Sequence, residues 1–225
     1  MPPHAFTGTC ALCGVRVDKR RTAAHYTSCA PAHDVESVRD ADLLMLRVGA
    51  VGAPGYWLDV EVETTAALSK LDAFLRRTWL ECCGHLSMFT VPPFRYSSSS
   101  GLQGLLGRAN TERSMASKIG AVFSHMGQKG TYDYDFGSTT RLTLELRGTR
   151  RGRIGKKAVR LLARNAPLLW MCGVCGAPAT LICCAHEIGG SPFVCEAHRA
   201  DHDCGDETFL PVVNSPRMGV CGYAG

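Results

Sequence analysis

Cysteine and histidine side chains bind zinc, and this chain of 225 residues has twelve cysteines and eight histidines. Near its beginning, Cys10 and Cys13 form a Cys-x2-Cys pair, and His25 and Cys29 form a His-x3-Cys pair. A Cys-x2-Cys turn presents two thiolates to one ion, and residues four apart share one face of a helix. We therefore expect a zinc finger over residues 1–31. No aromatic residue lies between the two pairs, so we expect this finger to depend on metal for its fold.

The densest cluster of metal-binding residues lies near the end of the chain and contains four ligand pairs, enough for two tetrahedral zinc ions. The pairs are Cys172-x2-Cys175, Cys183-x2-His186, Cys195-x2-His198 and His202-x-Cys204. Their pattern resembles the B-box and other cross-brace modules. That resemblance implies that pairs one and three share one ion and that pairs two and four share the other. A sequential pairing remains open, and Cys184 could replace Cys183.

Together the two regions predict three zinc ions, each with four protein ligands. A catalytic zinc ion keeps one position open for water or substrate, whereas a structural zinc ion is fully enclosed by protein ligands. The pattern therefore favours structural metals over a zinc hydrolase. We expect no catalytic residue among these ligands.

Hydrophobic periodicity predicts the framework between the metal clusters. We expect strands over residues 43–50, 57–63, 86–91, 131–137, 140–147 and 157–164, with helices over 66–79 and 115–126. This order predicts an α+β domain over residues 42–164, with a small antiparallel or mixed sheet and two helices. Zinc-stabilised modules at 1–31 and 165–225 would flank it, the second carrying a docked C-terminal tail.

Several segments of the central region resemble the plasmid pRiA ORF-three-like family. They are a helix that ends at Trp79, a strand from His85 to Phe89, and the hairpin residues Tyr132 to Gly137. The resemblance covers residues 42–164 and implies the fold of that family and an association with plasmids and mobile elements. It implies no established activity. Ser138 stands where the family usually has an acidic residue.

A third group of reactive side chains lies between the first helix and the next strand, where Cys82, Cys83 and His85 are close in sequence. With Asp133 or Asp135 they could form a further metal site or a Cys–His nucleophile pair. The simpler alternative is that Cys83 packs and His85 hydrogen-bonds at the start of the strand. We expect both aspartates on a solvated strand face. Cys221, in the C-terminal tail, has no assignment.

The net charge of +5 is unevenly distributed. Basic residues cluster in the finger, at Lys19, Arg20 and Arg21, and again in the Gly-rich residues 147–157, which contain no acid. We interpret the second stretch as an exposed loop. It either contacts nucleic-acid phosphates or is simply solvated. The candidate contacts are Arg150, Arg151, Arg153, Lys156 and Lys157.

These features predict a zinc-dependent binding module for nucleic acid or for a protein partner. The alternative is an enzyme that uses Cys83, His85 and Asp135. The start of the chain has no signal-peptide pattern, and no apolar run approaches the ~20 residues of a membrane span, so we expect a cytoplasmic protein that binds no membrane. Reduced cysteines in that compartment agree with metal binding.

Overall fold

The computed structural model describes residues 6–36, 38–97, 111–185, 190–201, 204 and 208–225. Within these residues the chain has an α+β fold, as the sequence predicts. It contains the helices α1 (Thr22–Ala32), α2 (Leu68–Leu75) and α3 (Ile119–Val122). No helix among the described residues is long and apolar enough to cross a membrane.

A large mixed sheet forms the centre of the fold. Its ten strands are β1 (Thr7–Cys10), β2 (Arg16–Asp18), β3 (Ala41–Ala50), β4 (Ala53–Glu63), β5 (Ser87–Val91), β6 (Phe94–Ser97), β7 (Glu112–Ser114), β8 (Lys129–Tyr134), β9 (Thr140–Gly152) and β10 (Val159–Asn165). They lie in the order β2-β1-β10-β4-β3-β9-β8-β5-β6-β7. Every neighbouring pair is antiparallel except β6 and β7.

This sheet is larger than the small one expected, because the finger strands β1 and β2 continue it through β10. Gly8 in β1 pairs with Asn165 in β10. A Cβ atom on Gly8 would lie 2.3 Å from the carbonyl oxygen of Arg164 and 2.6 Å from the Trp57 ring, so only glycine fits there. The finger segment and the central region therefore share one sheet.

One face of the sheet packs against α2 and α3. Leu68, Leu71 and Leu75 of α2 are fully buried there, and Trp79 follows in a π-helical turn over Arg76–Leu80. The second predicted helix is much shorter than expected. Met115 is buried, but its backbone N–H donates to Ser97 in β6 and its carbonyl accepts from Ser69 in α2, so its backbone is not helical.

The opposite face of the sheet is covered at one end by the finger. Tyr26 of α1 packs with Trp57 and Leu162 of the sheet, and all three side chains are buried. Asp59 is buried on this face as well. It accepts a hydrogen bond from the Tyr26 hydroxyl at 2.9 Å and pairs with Arg47 at 2.7 Å. These contacts attach the finger to the sheet.

A buried ion-pair network lies beside this contact. Glu61, with 0% of its side chain exposed, accepts hydrogen bonds from Arg150 at 2.5 Å and from Arg160 at 2.5 Å. Arg150 also pairs with Asp34, just after α1, at 2.7 Å.

The basic stretch over residues 147–157 is not a loop throughout, contrary to the prediction from the sequence. Residues 147–152 form the last part of β9. Arg150 faces the covered side of the sheet and compensates a buried carboxylate.

The predicted hairpin is present as β8 and β9, which pair antiparallel. Tyr132 and Tyr134 are buried on one face, as expected. The two neighbouring aspartates are not solvated, contrary to the prediction. Asp133 pairs with Arg141 at 2.6 Å, and Asp135, which has a φ of 64° just past the end of β8, is also buried.

The C-terminal region contains a second, three-stranded antiparallel sheet of β11 (Leu181–Cys183), β12 (Phe193–Val194) and β13 (Phe209–Pro211). After β13 the tail returns to the large sheet. The Ser215 hydroxyl donates to the carbonyl of Trp79 at 2.6 Å, and Tyr223 is buried. Arg217 is fully buried and pairs with Asp135 at 2.7 Å.

Candidate metal centres

The four finger residues converge as the sequence predicts. Cys10 lies at the end of β1 and Cys13 in the following turn, whereas His25 and Cys29 lie on one face of α1. Their ligand atoms lie within 4.8 Å of one another. The Cys10 and Cys29 sulfurs are 3.8 Å apart, and the Cys13 sulfur is 3.5 Å from His25 Nε2. A tetrahedral zinc ion with bonds of ~2.3 Å to sulfur requires edges of ~3.8 Å.

A tight turn shapes the first pair of ligands. The N–H of Cys10 donates to the carbonyl of Val15 at 2.9 Å, and the N–H of Gly14 donates to the carbonyl of Cys10 at 2.9 Å. Gly14 has a φ of 75°, which glycine adopts without strain. The backbone hydrogen bond near Val15 lowers the pKa of the Cys13 thiol. This favours the thiolate, the form that binds metal.

The finger has more of a core than expected. Tyr26, which lies inside the His25–Cys29 pair, and Trp57 of β4 supply the aromatic packing that the loop lacks. Burial, followed by the neighbouring Cys13 and Cys10 sulfurs, raises the pKa of Cys29 to about 12. A cation bound between the three sulfurs would offset the repulsion between their negative charges and favour the Cys29 thiolate.

The C-terminal region brings Cys172, Cys175, Cys195 and His198 together, with all four ligand atoms within 4.8 Å of one another. The sulfurs of Cys175 and Cys195 are 3.8 Å apart. His198 Nδ1 lies 3.1 Å from the sulfur of Cys195 and 4.0 Å from that of Cys172. These are the first and third ligand pairs, the combination that a cross-brace arrangement requires.

The turn at Cys172 repeats the geometry of the finger turn. The N–H of Cys172 donates to the carbonyl of Ala177 at 2.7 Å, and the N–H of Gly176, whose φ is 70°, donates to the carbonyl of Cys172 at 2.9 Å. The backbone N–H of Cys175, with smaller contributions from Cys195 and Val174, lowers the pKa of Cys172 to about 6. Cys172 is therefore suited to bind a cation as the thiolate.

The second predicted C-terminal site lies partly outside the described residues, since His186 and His202 are not among them. Cys183 is buried, and its sulfur lies 3.5 Å from the Thr208 hydroxyl. The neighbouring Cys184 is exposed. Cys204 is described, but with two of its proposed partners outside the described residues the second C-terminal site stays a prediction.

The structure brings a further set of ligands together, which we call the tail cluster: Cys82, Cys83, His85 and Cys221. His85 Nε2 lies 2.9 Å from the Cys83 sulfur and 3.2 Å from the Cys221 sulfur. The sequence indicated Cys82, Cys83 and His85, but Cys221 is 138 positions from Cys83. Its only sequence signal is that it is a cysteine without an assigned partner.

The geometry of this cluster does not support a Cys–His–Asp triad. In a triad the nucleophile and the orienting carboxylate contact opposite ring nitrogens of the histidine. Here Asp135 Oδ2 lies 3.6 Å from His85 Nε2, the same nitrogen that the Cys83 sulfur contacts. A hydrogen bond from Arg217 lowers the pKa of Asp135 to about 2. The enzyme alternative therefore has no complete catalytic geometry in Cys83, His85 and Asp135.

The structure places the predicted nucleic-acid contacts in different surroundings. Arg150 is in the buried network, and Arg153 lies 3.5 Å from Asp40. Arg151, Lys156 and Lys157 are exposed. The structure thus removes Arg150 from the candidate contacts, because its charge is already compensated.

A groove of about 640 Å³ lies on the part of the sheet that the finger leaves open. Its floor contains a row of threonines on adjacent strands, since Thr131 pairs with Thr90 on one side and with Thr143 on the other. Four basic side chains and one acidic side chain also line it: Lys19, Arg47, Lys129, Arg147 and Glu145. Basic side chains therefore outnumber acidic ones along the lining of this groove.

Comparisons with known proteins give little further information. No family model matches the chain, and no curated protein matches it. A solved structure of a protein of unknown function from Methanosarcina mazei Go1 is similar, with a TM-score of 0.40 and 14% sequence identity. The match covers 54% of this chain and 67% of that chain. The resemblance to the plasmid pRiA ORF-three-like family therefore stays a prediction.

Proposed function

We propose that this protein is a zinc-stabilised binding module and that it binds nucleic acid through phosphate contacts in the groove. The observation that carries the proposal is the set of basic side chains around an open groove beside the finger. A protein partner is the alternative ligand. Kinship of residues 42–164 with the plasmid pRiA ORF-three-like family, and hence a link to mobile elements, is part of the same proposal.

The zinc assignment rests on ligand type and geometry. Thiolates and imidazoles in a tetrahedral arrangement suit zinc, and hard cations such as Mg²⁺ prefer oxygen ligands. Both the finger and the Cys172 cluster supply four such ligands from the protein itself. Neither leaves an open coordination position for a water molecule or a substrate. The metals would therefore stabilise the fold, and the groove would contact the ligand.

The charges in the groove favour an anionic ligand. Glu145 forms an ion pair with Arg147 at 3.1 Å, and Arg47 forms one with buried Asp59 at 2.7 Å. Lys19 and Lys129 add two further positive charges to the groove. Burial, followed by repulsion from the charge of Arg47, lowers the pKa of Lys19. A phosphate in the groove would relieve that repulsion, because it adds the negative charge that the site lacks.

The threonine row suits a ligand that is recognised by its backbone. The hydroxyls of Thr90 and Thr131 can donate hydrogen bonds to phosphate oxygens, whereas the Thr143 hydroxyl already donates to the carbonyl of Gly49 at 3.2 Å. Such phosphate contacts carry no sequence information. No aromatic side chain is among those that line the groove. Base stacking is therefore not the main interaction that we expect, and affinity should depend mainly on charge.

The test is fluorescence anisotropy with labelled single-stranded DNA, duplex DNA and RNA, at salt concentrations between ~50 and ~200 mM. We expect affinity to fall steeply as salt rises. The double variant Lys129→Gln/Arg147→Gln should reduce the slope of log affinity against log salt by about two units. Zinc content should not change, because neither residue belongs to a metal cluster.

The matched control is Lys70→Gln/Arg77→Gln, which removes the same charge from exposed residues outside the groove. It should change the slope much less. If the two double variants behave alike, the groove is not the contact surface. If the wild-type protein shows no salt-dependent binding to any of these probes, nucleic acid is not the ligand, and a protein partner becomes the better proposal.

A further inference from the structure

We infer that the tail cluster of Cys82, Cys83, His85 and Cys221 is a metal site, and that its ion fastens the C-terminal tail to the central sheet. Thiolates and one imidazole in this arrangement suit a zinc ion. The site is separate from the finger and from the Cys172 cluster. It does not depend on the proposed nucleic-acid binding.

The distances in the tail cluster resemble those in the two other clusters. The Cys83 sulfur lies 3.6 Å from the Cys82 sulfur and 3.6 Å from the Cys221 sulfur. The finger and the Cys172 cluster each contain a sulfur–sulfur distance of 3.8 Å. All of these values are close to the tetrahedral edge of ~3.8 Å for zinc bound to sulfur.

The turn that carries three of the ligands is held by hydrogen bonds that involve no metal. Glu81 Oε1 accepts hydrogen bonds from the N–H of Gly84 at 2.6 Å and from the Tyr134 hydroxyl at 3.0 Å. Arg76 donates to Glu81 Oε2 at 2.8 Å and to the carbonyl of His85. Gly84 has a φ of 77°, a conformation that allows the sharp turn between Cys83 and His85. These ligands are therefore held in position before an ion binds.

The tail brings the fourth ligand to this turn. Buried Arg217 pairs with Asp135 and donates to the sulfur of Cys82 at 3.4 Å. A hydrogen bond of this kind to a ligand sulfur is typical of the second layer around a metal. Cys221 itself has a φ of 52°, which is unfavourable for a residue other than glycine. A metal–sulfur bond would compensate the cost of that conformation.

Two other uses of these residues fit the geometry less well. A disulfide between Cys83 and Cys221 would require neither His85 nor Cys82, yet His85 Nε2 faces both sulfurs. A catalytic triad would require the carboxylate on the other ring nitrogen. A bound metal ion, by contrast, would contact all three sulfurs and His85 Nε2 at once.

The test is alkylation of the native, full-length, zinc-loaded protein with N-ethylmaleimide, with sites identified by mass spectrometry and a free-cysteine peptide present as the reference. Cys83 and Cys221 are exposed, so both would be accessible to the reagent once a bound ion is removed. We expect both to react at least tenfold more slowly before a zinc chelator is added than after it, and equal rates would contradict the inference. Rapid reaction without chelator would overturn the inference. So would protection that a reductant removes and a chelator does not, since that result indicates a disulfide.

A variant gives a second measurement. Cys221→Ser should lower the zinc content by one ion per chain, whereas Cys184→Ser, which removes another exposed cysteine outside the three clusters, should leave it unchanged. Circular dichroism should show that Cys221→Ser keeps its secondary structure, because Arg217 and Tyr223 still hold the tail. A folded Cys221→Ser protein with the zinc content of wild type would contradict the inference.

Discussion

Replacing Glu61 with glutamine should destabilise the protein far more than replacing Glu145, whose side chain is partly exposed. The Glu61 carboxylate is fully buried and accepts hydrogen bonds from Arg150 and Arg160. Burial acts to lower the pKa of Arg150, but the bonds to Asp34 and Glu61 outweigh it and raise the pKa above its ordinary value. The positive charge of Arg150 is thus stabilised by the carboxylate of Glu61 together with that of Asp34.

Removing one member of a buried ion pair costs about 3–5 kcal/mol, because the remaining charge is left without its partner. Asp34 still contacts both arginines, at 2.7 Å for Arg150 and 3.5 Å for Arg160. We therefore expect Glu61→Gln to cost about 3 kcal/mol, at the lower end of that range. Since Asp34 follows α1 and Glu61 lies in β4, the loss should also loosen the finger from the sheet.

The measurement is urea denaturation with zinc present, and Glu145→Gln is the matched control. Glu145 pairs with Arg147 at 3.1 Å, but 46% of the arginine side chain and 29% of the glutamate side chain are exposed. Exposed pairs contribute about 0–1 kcal/mol, so the control should change stability little. If Glu61→Gln and Glu145→Gln cost the same, the ion-pair network does not stabilise the fold as we describe.

Three further predictions concern other parts of the fold. Burial acts to raise the pKa of Asp34, but the hydrogen bond from Arg150 outweighs burial and lowers the pKa in the folded protein. The ionised Asp34 carboxylate therefore stabilises the fold at pH values above its pKa in the unfolded chain. The stability gap between wild type and Asp34→Asn, measured by urea denaturation, should therefore be constant from about pH 5 to 7 and shrink below about pH 4. Gly8→Ala should cost about 1–3 kcal/mol in the same assay, because its methyl group would overlap β10; unchanged stability would show that the strands can separate there. Cys195→Ser should lose one zinc ion by elemental analysis and Cys184→Ser none, and the reverse result would show that the ligand register is shifted.

Local spacing explains why the sequence predicted the finger and the Cys172 cluster. In each of these two clusters the ligands form two short-range pairs, and each Cys-x2-Cys pair is followed directly by a glycine, Gly14 or Gly176, that completes the turn. The β8–β9 hairpin was predicted for the same reason, because alternating side chains and a short connection specify it locally. The helix predicted over 115–126 was wrong in length, because the apolar spacing identified core positions and not the backbone partners of Met115.

The sequence alone determined where metal ligands can pair, which segments form the central strands, and that the fold is α+β, since each of these depends on residues within about ten positions of one another. The tertiary structure decided the rest. It buried the acids of β4 under the finger and placed Arg150 against Glu61, 89 positions away. It also brought Cys221 to Cys83 across 138 positions. The physical reason is that such contacts depend on which strands become neighbours and which face is covered, and no local spacing encodes either.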